Sequence, residues 1–358
     1  MFIDAHAHAF PNYNLAAGYD DPKRWMLRQQ GEISRLWGRM VSSTLDKKYM
    51  PDPYEEVGFR LGKYGRYYWT KHGKECWFQR FPTVMVELEW PPENTVAFMD
   101  SIGVDKAILQ AGYMKIDYCR EYFVDCMKKF PGRFIGTVAI DYDIKKSEKH
   151  REGELDKLRY SVNHLDMRGV FQGFPREQRT IMDDDRFDPL WKEMGILEIP
   201  HIFVLGLSSE PKRQYLESID RLEKVLKKFP NLNIIIGHLG GNIRPPHDPN
   251  YTDTPKDLMK ILKLPNVYFE VGYVLAYENW DVWKENYEYP YPLHTKVIKR
   301  IYDEVGAERL LWGSDIPNIF RTCSYRQCLD LVRLHFDFLR EEEKNLVLGG
   351  NAAKLFRV

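Results

Sequence analysis

Met1-Phe-Ile-Asp-Ala-His6-Ala-His8 opens the chain with a short apolar run that carries two histidines two residues apart. Side chains of a β-strand alternate faces with a period of two, so His6 and His8 point the same way. At the end of a buried strand such a pair is a two-toothed clamp for a metal ion such as Zn, Mn, Fe or Ni. On an exposed strand it is only two polar side chains. What the rest of the chain brings to the same place decides between the two.

From residue 91 onward, short apolar runs alternate with amphipathic segments. Lys106-Ala-Ile-Leu-Gln-Ala, Phe134-Ile-Gly-Thr-Val-Ala-Ile, Gly169-Val-Phe-Gln-Gly, the run 196–207, Leu232-Asn-Ile-Ile-Ile-Gly-His238, Val267-Tyr-Phe-Glu-Val-Gly272 and Leu310-Leu-Trp-Gly-Ser-Asp315 read as strands. Helical periodicity over 93–101, 118–130, 152–164, 187–195, 211–229, 255–264 and 295–305 separates them. Helices at 324–335 and 341–348 and a turn at 351–355 close the chain. With the first strand the count is eight, near residues 3, 107, 136, 170, 202, 235, 268 and 311. Alternation of strand and helix implies parallel βαβ units, and eight of them close a (β/α)8 TIM barrel, an α/β fold. The 358 residues are read as one metal-dependent barrel domain.

Residues 11–92 form a long insertion after strand 1. Its aromatics (Tyr64, Tyr67, Tyr68, Trp69, Trp77, Phe78) and cations (Arg60, Lys63, Arg66, Lys71) either cap a pocket or build a satellite core. Exposed aromatics there point to a homodimer.

Lys plus Arg equals Asp plus Glu at 52 each, without long runs of one sign, so neither nucleic acid nor an anionic membrane is indicated as partner. A small molecule is the expected ligand. The apolar stretches are far too short to span a bilayer, and the chain begins with a strand rather than a basic and apolar leader, so a cytoplasmic protein is expected. Cys76, Cys119, Cys126, Cys323 and Cys328 are odd in number and show no Cys-x-x-Cys spacing. They read as reduced, mostly buried thiols rather than disulfides or a zinc knuckle.

In a (β/α)8 barrel the chemistry sits where the strands end. Strand 1 ends in His6 and His8, strand 6 in His238 and strand 8 in Asp315, and strand 7 carries Glu270. Each follows an apolar run, where an unpaired polar group is costly and metal coordination compensates. Any one alone is a core histidine or a capping acid; together they mark a site.

The chain resembles the amidohydrolase superfamily, in the amidohydrolase-related branch that includes aminocarboxymuconate-semialdehyde, resorcylate and carboxyvanillate decarboxylases. The matching words are Asp4-Ala-His6-Ala-His8, Met99-Asp-Ser-Ile-Gly-Val-Asp-Lys-Ala, Phe130-Pro-Gly-Arg-Phe-Ile-Gly, Phe229-Pro-Asn-Leu with Gly237-His-Leu-Gly-Gly, Gly313-Ser-Asp315-Ile-Pro and Gly350-Asn-Ala-Ala-Lys-Leu. They cover the chain apart from the insertion. The resemblance implies one divalent metal ion, expected to be Zn with Mn, Fe and Mg as alternatives. His6, His8 and Asp315 would hold it with a histidine from strand 5, while His238 acts on substrate or water.

Strand 5 reads Gly195-Ile-Leu-Glu-Ile-Pro200-His201-Ile-Phe-Val204. Registered on Gly195, the ligand position is His201; registered on Pro200, it is Val204, with His201 at the strand start and away from the metal face. The activity implied is non-oxidative decarboxylation of a small aromatic or enol-like carboxylic acid. Its alternative is hydrolysis of a lactone, amide or C–C bond, with Asp315 shuttling the proton. Arg321, Tyr325 and Arg326 are candidates to bind the substrate carboxylate, which an Arg fork matches bidentately.

Overall fold

Short β-branched runs bounded by glycine, proline and charged turns set the strands of this protein. Its computed structural model describes residues 1–13, 21–35, 42–44, 46–112, 114–172, 176–205, 212–240, 256–272 and 288–358. Strand β1 (Ile3–Ala7) is followed by a small antiparallel sheet of β2 (Arg60–Leu61), β3 (Arg66–Lys71) and β4 (Lys74–Gln79). Then come β5 (Lys106–Leu109), β6 (Phe134–Val138), β7 (Gly169–Gln172), β8 (His201–Phe203), β9 (Ile234–Ile236), β10 (Val267–Val271) and β11 (Leu310–Trp312). β1 and β5 to β11 pair in parallel in that order.

The seam between β11 and β1 is stitched at their ends. The Asp315 N–H donates to the His6 carbonyl at 2.8 Å, and the His8 N–H donates to the Ile316 carbonyl at 2.9 Å. Helices Pro92–Ile102, Ile116–Lys129, Glu148–His164, Asp188–Leu197, Lys212–Lys228, Lys256–Leu262 and Pro292–Val305 alternate with the strands. The fold is a (β/α)8 barrel, with all eight expected strands in place. The expected strand end at Leu207, the helix starts at Pro211 and Pro255, and insertion residues 14–20, 36–41 and 45 lie outside the described residues.

Inside the barrel, Ile3, Ala5, Ile108, Ile135, Ile202, Ile235 and Leu311 meet Ala352, Leu355 and Phe356. The last three belong to helix Asn351–Phe356, where the sequence suggests only a turn. Phe356 occupies the space beside Gly169, where an added Cβ would stand 2.9 Å from its ring. Burying a side chain of this kind contributes about 1.5–3 kcal/mol. The helix plugs the N-terminal end of the barrel and leaves the opposite mouth for a ligand.

The insertion is pinned at its base, where Phe10 and Trp90 exchange backbone hydrogen bonds of 2.9 and 3.0 Å. Tyr67, Trp69 and Phe78 are wholly buried and pack as core, continuous through Phe81 and Phe10 with the layer between strands and helices rather than as a separate satellite. Among the described residues the insertion's exposed aromatics reduce to Tyr54 and Tyr64, a smaller surface than the sequence suggests. All five cysteines are buried free thiols. Among the described residues no helix is long and apolar enough to cross a membrane.

Candidate metal centre

Plain alternation along β1 would put Asp4 on the same face as His6 and His8. The pairing of β1 with β5 instead slips by one residue between Asp4 and Ala7. Such a bulge reverses the alternation, so Asp4 faces away from the interior while His6 turns into it. Asp4 accepts hydrogen bonds from the His6 N–H (3.0 Å), the Ser314 N–H (2.9 Å), the Ser314 hydroxyl (2.5 Å) and the Tyr325 hydroxyl (2.9 Å). It clips β1 to the loop after β11. Burial raises its carboxyl to about 6, with these hydrogen bonds pulling the other way.

The two histidines of the clamp converge. His8 Nδ1 donates to the Gln110 carbonyl at 2.8 Å, and a carbonyl only accepts, so Nε2 of a neutral His8 carries a lone pair. That Nε2 stands 2.8 Å from Asp315 Oδ1 and 3.2 Å from His6 Nε2. His6 Nε2 is in turn 3.5 Å from Asp315 Oδ1. Acceptors this close attract only with a cation between them: a proton that makes an imidazolium, or a metal ion held jointly.

His238 and Asp315 end β9 and β11 in left-handed backbone, with φ of 52° and 58°. This region is uncommon for residues other than glycine and concentrates at functional sites. The turn lays the His238 ring flat over His6, with centroids 4.9 Å apart and planes 9° from parallel. His6, His238 and Asp315 present ligand atoms that all lie within 4.8 Å of one another. His238 is partly exposed, whereas His6, His8, Glu270 and Asp315 are buried.

Glu270 completes the group. It pairs with the interior residue Leu311, so it faces inward, and its Oε2 is 2.8 Å from His6 Nδ1. Gly313 makes the room: a Cβ there would stand 2.9 Å from both His6 Cβ and Glu270 Cγ. The sequence marks Glu270 as an acid on strand 7, a stand-in ligand if strand 5 supplies none; its bond to His6 spans 264 positions and has no local signal.

Electrostatics fits a divalent ion. Burial pushes the Glu270 carboxyl up to about 8 and the His6 imidazole down to about 4. Burial also lowers His238, helped by the neighbouring His6. Burial would raise Asp315 too, but His6, His8 and His238 outweigh it and hold the carboxyl well below the usual carboxylate range. Among the described residues no Lys or Arg forms an ion pair with Asp4, Glu270 or Asp315. Buried carboxylates without a cation are costly. A divalent ion held among these side chains would balance them, with imidazole and carboxylate donors that suit Zn or Mn.

The structure does not bring His201 to this cluster. His201 opens β8, its ring packed 5.9 Å from Trp191 and 5.3 Å from Phe203 in the layer between strands and helices. Ile202 faces the interior, and the next inward position is the buried Val204. Strand 5 therefore offers the centre an isopropyl group where His201 was one of two expectations.

The three candidates for substrate binding are engaged elsewhere. The Tyr325 hydroxyl donates to Asp4, Arg326 donates to the Ser101 carbonyl at 2.9 Å, and Arg321 donates to the Arg80 carbonyl of the insertion.

The family model described as Amidohydrolase matches residues 3–358. In fold the chain is similar to a dihydroxybenzoic acid decarboxylase from Polaromonas with bound manganese and an inhibitor. Identity is 19%, the match covers 75% of this chain and 87% of that one, and the TM-score is 0.52. It is similar to a putative 2-pyrone-4,6-dicarboxylic acid hydrolase from Pseudomonas putida (17% identity, 99% and 97% covered, TM-score 0.58). A third similar structure is an amidohydrolase from Burkholderia multivorans with bound zinc (16% identity, 76% and 90% covered, TM-score 0.59). No curated protein matches the chain in sequence.

Proposed function

The chain belongs to the amidohydrolase family, and on that premise we propose that it is a divalent-metal-dependent enzyme releasing CO₂ from a small aromatic or enol-like carboxylic acid without oxidation. When bound by His6, His8 and Asp315, the ion supplies a Lewis acid for the substrate carboxylate and an adjacent oxygen.

The observation that carries this reading is the state of Asp315. Its Oδ1 meets His8 Nε2 at 2.8 Å and accepts from Asn318 Nδ2 at 2.9 Å, and its carboxyl is held well below the usual range. With that oxygen shared between His8 and Asn318, Asp315 is occupied in binding its neighbours rather than placed to draw a proton from water. Its role is to hold the ion and the histidines around it. His238 is the group for proton transfer, because its ring lies over His6 at the centre and the residue is partly exposed.

In the reaction, His238 relays a proton taken up from solvent to the carbon that bears the carboxylate. The bond from that carbon to the carboxylate then breaks, its electron pair returns to the ring, and CO₂ leaves. His238 regains a proton from solvent. Hydrolysis of a lactone, amide or C–C bond instead requires water as nucleophile and a base to deprotonate it.

Turnover of a panel of hydroxylated aromatic acids in D₂O and in ¹⁸O-labelled water separates the two. The proposal expects CO₂ release, one deuterium on the product carbon and no solvent oxygen in the organic product. Labelled oxygen in the organic product, or full turnover by His238→Asn, contradicts it.

A further inference from the structure

We propose that Glu270 is a positioning residue of the metal centre, accepting the Nδ1–H of His6 so that the Nε2 lone pair is turned toward Asp315 and His8. This inference rests on the metal-centre reading above. An imidazole that binds an ion through Nε2 must keep its proton on Nδ1, and a partner there fixes both tautomer and ring direction. His8 receives that service from the Gln110 carbonyl at 2.8 Å. For His6 it comes from Glu270 Oε2, also at 2.8 Å.

The interior is built to admit this acid. Barrel interiors are filled by layers of branched side chains, yet Gly237 and Gly313 directly follow the strands on either side of Glu270. A Cβ at 313 would overlap the Glu270–His6 pair, at 2.9 Å from Glu270 Cγ and 3.0 Å from its Cδ. Among the described residues Glu270 has no Lys or Arg, its ion-pair contact is with His6, and its Oε1 is buried without a hydrogen bond. A carboxyl retained there does not serve as half of a structural salt bridge, since removing an ion from water without a counter-ion costs several kcal/mol. Its chemistry is that of an acceptor for a ligand histidine and a negative charge beside a divalent ion. Strand 5, with Val204 at its inward position, adds neither.

The experiment titrates Co²⁺ into metal-stripped wild type, Glu270→Gln, His6→Ala and the double variant. Affinity is read by chelator competition, coordination by visible absorption and folding by circular dichroism. The expected result is a loss of affinity of about 10–100-fold in Glu270→Gln with an altered cobalt spectrum. In the His6→Ala background Glu270→Gln should cost nothing beyond about twofold, because the residue acts through His6. Glu270→Asp, which keeps the charge but withdraws it from Nδ1, should lose affinity as well, and it serves if the glutamine variant does not fold. Wild-type affinity in Glu270→Gln or Glu270→Asp overturns the proposal while leaving the metal centre intact, as does an equal loss with and without His6. Failure of the wild type to bind Co²⁺ overturns the metal-centre reading itself.

Discussion

Gly313→Ala is the most economical perturbation of the centre, because it adds one methyl group and touches no ligand. Gly313 is not among the residues with positive φ, so alanine meets no backbone penalty there and its effect is steric. The added carbon would stand 2.9 Å from His6 Cβ, 2.9 Å from Glu270 Cγ and 3.0 Å from Glu270 Cδ. Carbon atoms rest about 3.5–4 Å apart, so each contact must open by about 0.5 Å or more. His6 has little freedom to give, since its carbonyl accepts from the Asp315 N–H at 2.8 Å and its N–H donates to Asp4 at 3.0 Å. Overpacking of this kind costs about 1–3 kcal/mol. A shift of that size also exceeds the roughly 0.2 Å tolerance of metal–ligand distances, so affinity for the ion should fall at least about tenfold. The control is Gly237→Ala, whose Cβ would meet Glu270 Oε2 at 3.5 Å and Ile202 Cγ2 at 3.6 Å, ordinary contacts. Urea unfolding in chelator gives the stability and chelator competition gives the affinity. If Gly313→Ala matches wild type and Gly237→Ala in both, the packing of His6 against Glu270 described here is wrong.

Tyr325→Phe removes one of four donors to buried Asp4 and should destabilise the protein by about 1–2 kcal/mol in urea unfolding. His201→Leu should leave metal affinity within about twofold of wild type in chelator competition, because the ring lies outside the cluster. The same variant should flatten the acid side of the stability curve. The folded pKa of His201 is lowered by burial from 6.5 to about 3, so its contribution is full above 6.5 and is lost as pH falls from there toward 3. Stripping the ion should lower the apparent unfolding free energy by about 2.7 kcal/mol relative to protein held at a free-metal concentration of 100 times Kd. Asp315→Asn should be insensitive to the same treatment, as read by thermal unfolding with and without chelator.

The barrel is legible because its signals are local. Ile234–Ile236 and Leu310–Trp312 read as buried strands from their apolar runs, and the side chains that follow, His238 and Asp315, converge with His6 in the proposed site. His6 and His8 are legible for the same reason, although the bulge that turns His6 inward is set by pairing with β5 and leaves no mark on alternation. His201 shows the limit of motif spacing. Registers on Gly195 and on Pro200 place the ligand three residues apart, at His201 or at Val204, and only the pairing of His201 with Val170 and Ile234 fixes which face it takes. Tyr325 and Arg326 lie close to Asp315 in sequence, but the helix Tyr325–His335 directs them to Asp4 and to Ser101. Glu270 is the converse, an acid whose function depends on a histidine at the other end of the chain.

The central claim is that His6, His8 and Asp315 hold one divalent ion. Isothermal titration of metal-stripped protein with Zn²⁺ or Mn²⁺ tests it directly. The account predicts a single site with a stoichiometry of about one, abolished in a variant carrying both His6→Ala and His8→Ala. Absence of binding in the wild type, or undiminished binding in that variant, would contradict it.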